Sequence, residues 1–308
     1  MTQLSGSNNQ VVAVSGASGL VGSLLVESLS AAGHETRSLI RDARRDSGKD
    51  IVWSPESGVT NPERFAGVDA IVHLAGENIA SGRWNAARKE RIRSSRVDGT
   101  KRLVDALQAS THRPATLICA SAIGFYGDRD DAVLDETALS GVGFLSEVCA
   151  EWEAAAQQAS DLGIRVVNVR IGIVLARQGG ALAKMLLPFR LGLGGNVGNG
   201  RQYWSWIGLH DLVRVLMFCL QNDQVRGPVN AVAPNASTNA EFTRTLGRVL
   251  HRPTIFPMPA FAARLALGEM ANDLLLASTR VVPGQLTEHG FQFEYPELAD
   301  CLKFELSR

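Results

Sequence analysis

The chain has 308 residues, with 31 Lys plus Arg against 31 Asp plus Glu, so its formal net charge is zero. That balance excludes the basic excess of a typical nucleic-acid binder. With 45% hydrophobic and 20% charged residues, the chain can bury a sizeable core, and its length suits two domains or one large α/β domain with an added lobe.

Val11 to Ser15 is apolar on both faces, which predicts a buried parallel strand. A glycine-rich turn leads into a helix, Leu20 to Ala32, where Leu20, Val21, Leu24, Leu25 and Leu29 recur at helical spacing and Gly33 closes the element. Glu35 to Ile40, Ile51 to Trp53, Ala70 to Leu74 and Thr116 to Ala120 read as the next four strands. Helices are expected over Ala87 to Ala109 and Leu145 to Leu162, the latter leading into a strand from Arg165 to Val169. This alternation predicts an α/β, Rossmann-type, doubly wound parallel sheet. Gly179 to Gly208 reads as loop-rich, with Tyr203, Trp204 and Trp206 close together. Leu209 to Leu220 returns to helix and Pro228 to Ala231 to strand. Five prolines between Pro253 and Pro296 separate short helices. The expected organisation is a flexible tail over 1–10, a dinucleotide-binding domain over 11–178 to which 209–231 returns, and a smaller substrate and C-terminal lobe from 179–208 and 232–308.

Cys119, Cys149, Cys219 and Cys301 form no CxxC pair. No paired-cysteine zinc site or disulfide framework is expected, and the four read as small buried hydrophobes. No histidine pair has metal-ligand spacing, so no metal is expected. The polar start does not read as a signal peptide, and no apolar run reaches the ~18 residues of a membrane span. The expected partner is a small-molecule substrate in the cytoplasm, with neither nucleic acid nor membrane.

Gly16-Ala-Ser-Gly19-Leu-Val-Gly22 stands between the first strand and the first helix. In that context Gly16 makes the tight turn, Gly19 admits a pyrophosphate, and Gly22 lets the helix pack on the strand. The helix N-terminus then holds the phosphate. Gly16, Ser18, Gly19, Leu20, Val21 and Gly22 are the expected cofactor residues, joined by Leu74, Ala75 and Gly76 at the end of the fourth strand. An acid about 20 residues past the third glycine favours NAD, and a nearby Arg favours NADP. Asp42 fills that place but stands among Arg41, Arg44 and Arg45. The cluster points to NADP(H), with Arg41 and Arg44 on the 2′-phosphate; the bland alternative is a solvated charged loop.

Several segments resemble extended short-chain dehydrogenase/reductases: the glycine turn, Asp69 to Gly76, Asp98-Gly-Thr-Lys101, Ser121-Ala-Ile-Gly-Phe-Tyr-Gly-Asp128, Arg170 to Leu175 and Gly227-Pro-Val-Asn230. More narrowly, Ala75-Gly-Glu-Asn-Ile-Ala80, Arg83-Trp84, Ser95-Arg96, Trp152-Glu153, Lys184 to Gly195, Gly200-Arg-Gln-Tyr203 and Gly290-Phe-Gln-Phe293 resemble the bacterial epimerase family proteins. The resemblance covers nearly the whole chain. It implies a Rossmann-type fold, a nicotinamide cofactor, and a substrate cleft beneath a small C-terminal domain. It also marks departures. The family's redox chemistry uses a Tyr and a Lys four residues later, but Leu145 and Cys149 stand in those places. Arg96 stands where the family usually has Asn. The usual serine position is Ala122, with Ser121 beside it, and Gly208 and His210 replace the family's His and Asp before Asp211.

The remaining candidates are Tyr126, Ser121 and Glu77 for catalysis and Lys184, Arg201 and Tyr203 for substrate. Glu77 follows the fourth strand and could be an acid or base, or pair with Arg83. Tyr126, just past the fifth strand, reads as a substrate hydroxyl or as packing. Ser121 could orient substrate. Lys184 and Arg201 could grip an anion or face solvent, and Tyr203 with Trp204 could stack on a ring or pack within the lobe. Arg96 could point inward to the cofactor or substrate. The sequence thus suggests an NADP(H)-binding epimerase- or oxidoreductase-like protein for a small anionic substrate, possible nucleotide sugars included. The alternative is a non-catalytic NADP(H)-binding regulator or redox sensor.

Overall fold

The structure, a computed structural model, describes residues 9–307, so all but the end of the expected tail lies outside the described residues. In chain order the elements are β1 (Val11–Ser15), α1 (Leu20–Ala31), β2 (Glu35–Ile40), β3 (Ile51–Ser54), β4 (Gly58–Val59), β5 (Ala70–His73), α2 (Ala86–Ala109), β6 (Thr116–Ala122), β7 (Val133–Leu134), α3 (Phe144–Gln157), β8 (Arg165–Ile171) and β9 (Ile173–Ala176). They continue as α4 (Gly180–Arg190), β10 (Tyr203–Trp204), β11 (Trp206–Gly208), α5 (Leu209–Gln221), β12 (Gly227–Ala231), β13 (Ser237–Thr238), α6 (Asn239–Leu250), α7 (Ala260–Leu267), β14 (Arg280–Val281), α8 (Gly284–Glu288) and α9 (Leu298–Ser307).

Eight strands form one sheet in the order β12-β8-β6-β5-β1-β2-β3-β4. Every pair is parallel except β3 with β4. The central strands are buried on both faces, as their unbroken apolar runs require. On one face Leu25 and Leu29 of α1 join Leu212, Val215 and Leu216 of α5 over Val12, Val14 and Val169. On the other, Val97, Leu103 and Leu107 of α2 join Trp152 and Ala156 of α3 over Ala13, Ile71 and Leu117. Full burial of each of the Val, Leu and Ile side chains stabilises the fold by about 1.5–3 kcal/mol.

A third core gathers Leu182, Leu186 and Phe189 of α4, Trp204 of β10, Trp206 of β11, Phe242 and Leu246 of α6, and Cys301 and Leu302 of α9. Three short pairs stitch this region: β10 with β13, β11 with β9, and β14 with β7. The α4 helix departs from the loop-rich expectation for 179–208. Its Leu182, Leu186 and Phe189 fall on one buried face, so the helical period was present but masked by the surrounding glycines. The helix over 145–162 also differs: α3 ends at Gln157 and a 3₁₀ segment, Gln158–Leu162, completes it. β6 and β8 each run two residues further than expected, to Ala122 and Ile171.

Candidate functional site

The glycine turn has the geometry that its spacing demands. Gly16 lies at φ +68°, a region that L side chains avoid, and its carbonyl accepts from the Gly19 N–H at 2.9 Å. A Cβ at Gly22 would come 2.2 Å from the Gly16 oxygen, so only glycine lets α1 start this close to β1. A Cβ at Gly19 would meet only that oxygen, at 3.2 Å, which leaves open space beside it. Gly19 caps α1 without a side-chain acceptor, so the first-turn N–H groups of Leu20, Val21 and Gly22 are free to bind an anion. Ser18 is exposed at the same turn.

The turn sits where the strand order reverses, with β2 on one side of β1 and β5 on the other. Ligands of open α/β sheets bind in that crevice. The Ser15 hydroxyl ties its walls together by accepting the N–H groups of Leu74 at 2.9 Å and Ala75 at 3.0 Å. A Cβ on Gly16 would meet the Leu74 carbonyl carbon at 3.2 Å, so the expected cofactor residues of both strands do come together.

At the end of β2, Asp42 caps a short 3₁₀ turn, Ala43–Arg45, by accepting the Arg44 N–H. Its two oxygens also accept Arg44 Nε and Nη2, each at 3.0 Å. The Arg44 guanidinium holds the Asp42 carboxyl below its ordinary range. Arg44 is therefore engaged by Asp42, not free as expected for a phosphate contact, because the tight turn folds residue 44 back onto residue 42. Arg41 and Arg45 are exposed beside it.

After β5, Glu77 pairs with Arg88 at 3.3 Å, whereas Arg83 reaches the carbonyls of Leu265 and Ala266 in the last turn of α7. The expected Glu77–Arg83 pair is thus replaced: Arg88, in the first turn of α2, points back toward the strand end. Arg96, two turns further on, donates through Nη1 to the carbonyls of Glu77 at 3.0 Å and Ile92 at 3.1 Å. Its Nε and Nη2 have no hydrogen-bond partner among the described residues. Its guanidinium lies 5.2 Å from the Trp152 ring centroid, and a Cβ at Gly76 would come 3.1 Å from its Cζ. Burial lowers the Arg96 pKa, yet an Arg stays charged in proteins.

At the end of β6 a polar chain runs through the interior. Ser121 donates to Glu153 Oε1 at 2.7 Å, and Arg170 grips both oxygens of Glu153 at 2.8 and 2.9 Å. Arg170 Nη1 donates to the Tyr126 oxygen at 2.9 Å, and the Tyr126 hydroxyl donates to Asn230 Oδ1 at 2.6 Å. Burial works against the Arg170 charge, but Glu153 outweighs it and raises the pKa. Tyr126 has no exposed surface, and burial raises its pKa. The expectation that Tyr126 reaches the cleft is therefore corrected. The extra residues of β6 and the 3₁₀ turn Ile123–Tyr126 swing its ring inward against Leu134, Val232 and Val281.

The places that the resemblance gives to Tyr and Lys hold groups of another kind. Leu145 packs with Trp84, Ile92 and Met270. The Cys149 thiol is buried and pushed up to about 11 by that burial. Further out, Lys184 Nζ donates to the Ala80 carbonyl at 2.6 Å and borders the β5 loop. Arg201 is exposed beside Asn199, which caps its N–H. Tyr203 pairs with Thr238 in the lobe, with the Arg280 guanidinium 4.8 Å from its ring centroid. Among the described residues no group of three or more His, Cys, Asp or Glu side chains is arranged to hold a metal ion, and no helix is long and apolar enough to cross a membrane.

Sequence reasoning missed Arg170 and Asn230 as members of the Ser121 network. A signal existed: Arg165 to Ile171 is a buried strand, and a charge inside such a run requires a buried partner.

Comparison with known proteins agrees with this geometry. Residues 12–232 match the NAD dependent epimerase/dehydratase family, and residues 258–305 match a domain of unknown function, DUF1731. The epimerase family protein Mb2239 of Mycobacterium bovis is 43% identical over 300 residues, spanning 97% of this chain and 99% of that protein. The epimerase family protein YfhF of Bacillus subtilis is 35% identical over 295 residues, spanning 94% and 96%. The crystal structure of human epimerase family protein SDR39U1, isoform 2, with NADPH superposes with a TM-score of 0.89 at 35% identity, covering 97% of this chain and all of that one. With the family match spanning most of the chain and relatives aligned almost end to end, the chain belongs to the NAD dependent epimerase/dehydratase family, within its epimerase family protein group.

Proposed function

We propose that the chain is an NADP(H)-dependent oxidoreductase of the epimerase-like kind, acting on a small anionic substrate without a Tyr/Lys pair. The observation that carries this reading is the engagement of Asp42 by Arg44. The acid that would take the ribose hydroxyls of NAD is neutralised, while Arg41 remains exposed for a 2′-phosphate. The open space at Gly19 and the uncapped start of α1 fit the pyrophosphate. The human relative with NADPH supports the same choice.

The cofactor supplies hydride chemistry when bound; the chain's own residues hold and polarise the substrate. In this reading the Ser121 oxygen, whose proton is held by Glu153, accepts from a substrate hydroxyl. Arg96 brings the positive charge that Cys149 cannot, offering the N–H donors of Nε and Nη2. Glu77, whose side chain is 34% exposed, exchanges the proton with solvent. Lys184 and Arg201 hold the anionic part of the substrate, and Tyr203 stacks on its ring. The dinucleotide-binding unit is 11–178 with 209–231, and the substrate lobe is 179–208 with 232–308.

The test is transfer of deuterium from labelled NADPH to a panel of keto-sugars and other carbonyl compounds. Transfer is expected, and Arg96→Met should lower kcat about 100-fold while NADPH affinity changes little. The burial of Tyr126 and the leucine at position 145 favour one second reading, a non-catalytic regulator. Tight NADPH binding with no transfer across the panel would select it.

A further inference from the structure

Eight of the eleven large apolar side chains that stand exposed among the described residues lie between Leu187 and Leu193 or between Ile255 and Leu265. The two segments are joined. Phe256 N–H donates to the Gly194 carbonyl at 3.1 Å, Met258 N–H to that of Asn196 at 2.8 Å, and Arg252 Nε to that of Arg190 at 2.8 Å. On α7, Phe261 and Leu265 are one turn apart and 72% and 74% exposed, while Ala263 faces inward. So many exposed apolar side chains on two joined segments differ from the singly scattered ones of an ordinary surface. Pro257 and Pro259 lie within it, and Arg83 ties the end of α7 to the loop before α2.

Its charge is as lopsided as its polarity. Residues 187–193 and 252–265 carry three arginines, Arg190, Arg252 and Arg264, and no acid, in a chain of zero net charge. Arg190 and Arg252 border Leu191, and Arg264 lies between Phe261 and Leu265; all three are exposed. Two copies meeting through this face would bring like charges together. The eight apolar side chains stand out from the surface, 43–74% exposed, and two cavities of about 150 and 130 Å³ lie elsewhere, between α2 and α3 and beside Gly124. A bilayer accepts protruding apolar side chains without a matching groove, and its anionic headgroups complement the arginines.

We infer that the ridge formed by the end of α4, the 253–259 segment and α7 docks this protein on an anionic phospholipid surface. The apolar side chains enter the headgroup–acyl boundary and the arginines contact phosphates. Such docking needs no spanning helix, so it revises only the expectation that no membrane is a partner. It stands apart from the proposed oxidoreductase activity.

The experiment is co-sedimentation of the full chain with phosphatidylcholine vesicles, with and without phosphatidylserine. Binding should be about tenfold or more stronger with phosphatidylserine and should weaken as salt rises. The double variant Phe261→Asp with Leu265→Asp should lose binding while its melting temperature and far-UV spectrum stay those of the parent. Arg252→Glu with Arg264→Glu should lose the preference for phosphatidylserine. Failure to bind phosphatidylserine vesicles at low salt would overturn the inference. So would binding that ignores headgroup charge, or a parent dimer that the Phe261/Leu265 variant converts to monomer without vesicle binding in either.

Discussion

The hydroxyl of Ser15 lies 2.8 Å from Nδ1 of His73, across the seam between β1 and β5. The same hydroxyl oxygen already accepts two backbone N–H groups, from Leu74 and Ala75. Its own proton must therefore point at Nδ1, which makes His73 neutral with its hydrogen on Nε2. Nε2 is buried without a hydrogen-bond partner, and the ring meets Trp53 edge to face at 5.2 Å.

That arrangement has a pH signature. Burial depresses the His73 pKa from its usual 6.5 to about 4. The unfolded chain takes up a proton that the native state refuses, so this contribution to stability is complete above the unfolded value. It is lost progressively as pH falls through the window from 6.5 toward 4. The total is on the order of 3 kcal/mol. Urea unfolding across that range should show the slope, and His73→Gln, which cannot titrate, should flatten it.

The three glycines of the turn should separate by role. Gly22→Ala places a carbon 2.2 Å from the Gly16 oxygen, so it should destabilise or prevent folding. Gly19→Val meets only one neighbour within 4 Å, so it should fold and lose dinucleotide binding. Circular dichroism together with NADPH titration reads both outcomes, and unaltered NADPH affinity in Gly19→Val would make the turn merely structural.

Tyr126→Phe removes the hydroxyl that joins Arg170 to Asn230. The expected effect is a loss of about 1–3 kcal/mol in stability, with NADPH affinity retained. Glu153→Leu should cost more, about 3–5 kcal/mol, because it strands the Arg170 charge in the interior. Chemical denaturation of both variants tests the ranking. If Tyr126→Phe left stability unchanged but abolished turnover, the hydroxyl would have to reach substrate after all.

Cofactor choice should turn on Arg41. Arg41→Ala should weaken NADPH by about 1–3 kcal/mol and NADH far less. Equal losses in parallel titrations would count against the 2′-phosphate assignment.

Much of the fold was legible because a central parallel strand is read from an unbroken apolar run; Val11–Ser15 and Glu35–Ile40 match their expected bounds. The cofactor turn was legible for a related reason: Gly16 and Gly22 meet local steric demands that only glycine satisfies, and Gly19 leaves space open at the start of α1. The Tyr126 side chain was not. Whether a residue just past a strand faces the cleft or the core depends on where the strand stops, and a two-residue extension of β6 decided it. The bonds from Ser121 through Glu153, Arg170 and Tyr126 to Asn230 span five separate elements. No local pattern encodes such a chain.

The sheet's outer strand has a consequence for synthesis. β8 pairs with β12 in register from Val167–Gly227 to Ile171–Ala231, but residues 172–226 emerge from the ribosome between them. Until β12 arrives, β8 is an open edge able to recruit a strand from another nascent chain. Arg170 lies on that edge with its guanidinium gripping Glu153 of α3. A charge so placed discourages wrong pairing while the genuine neighbour is still being made.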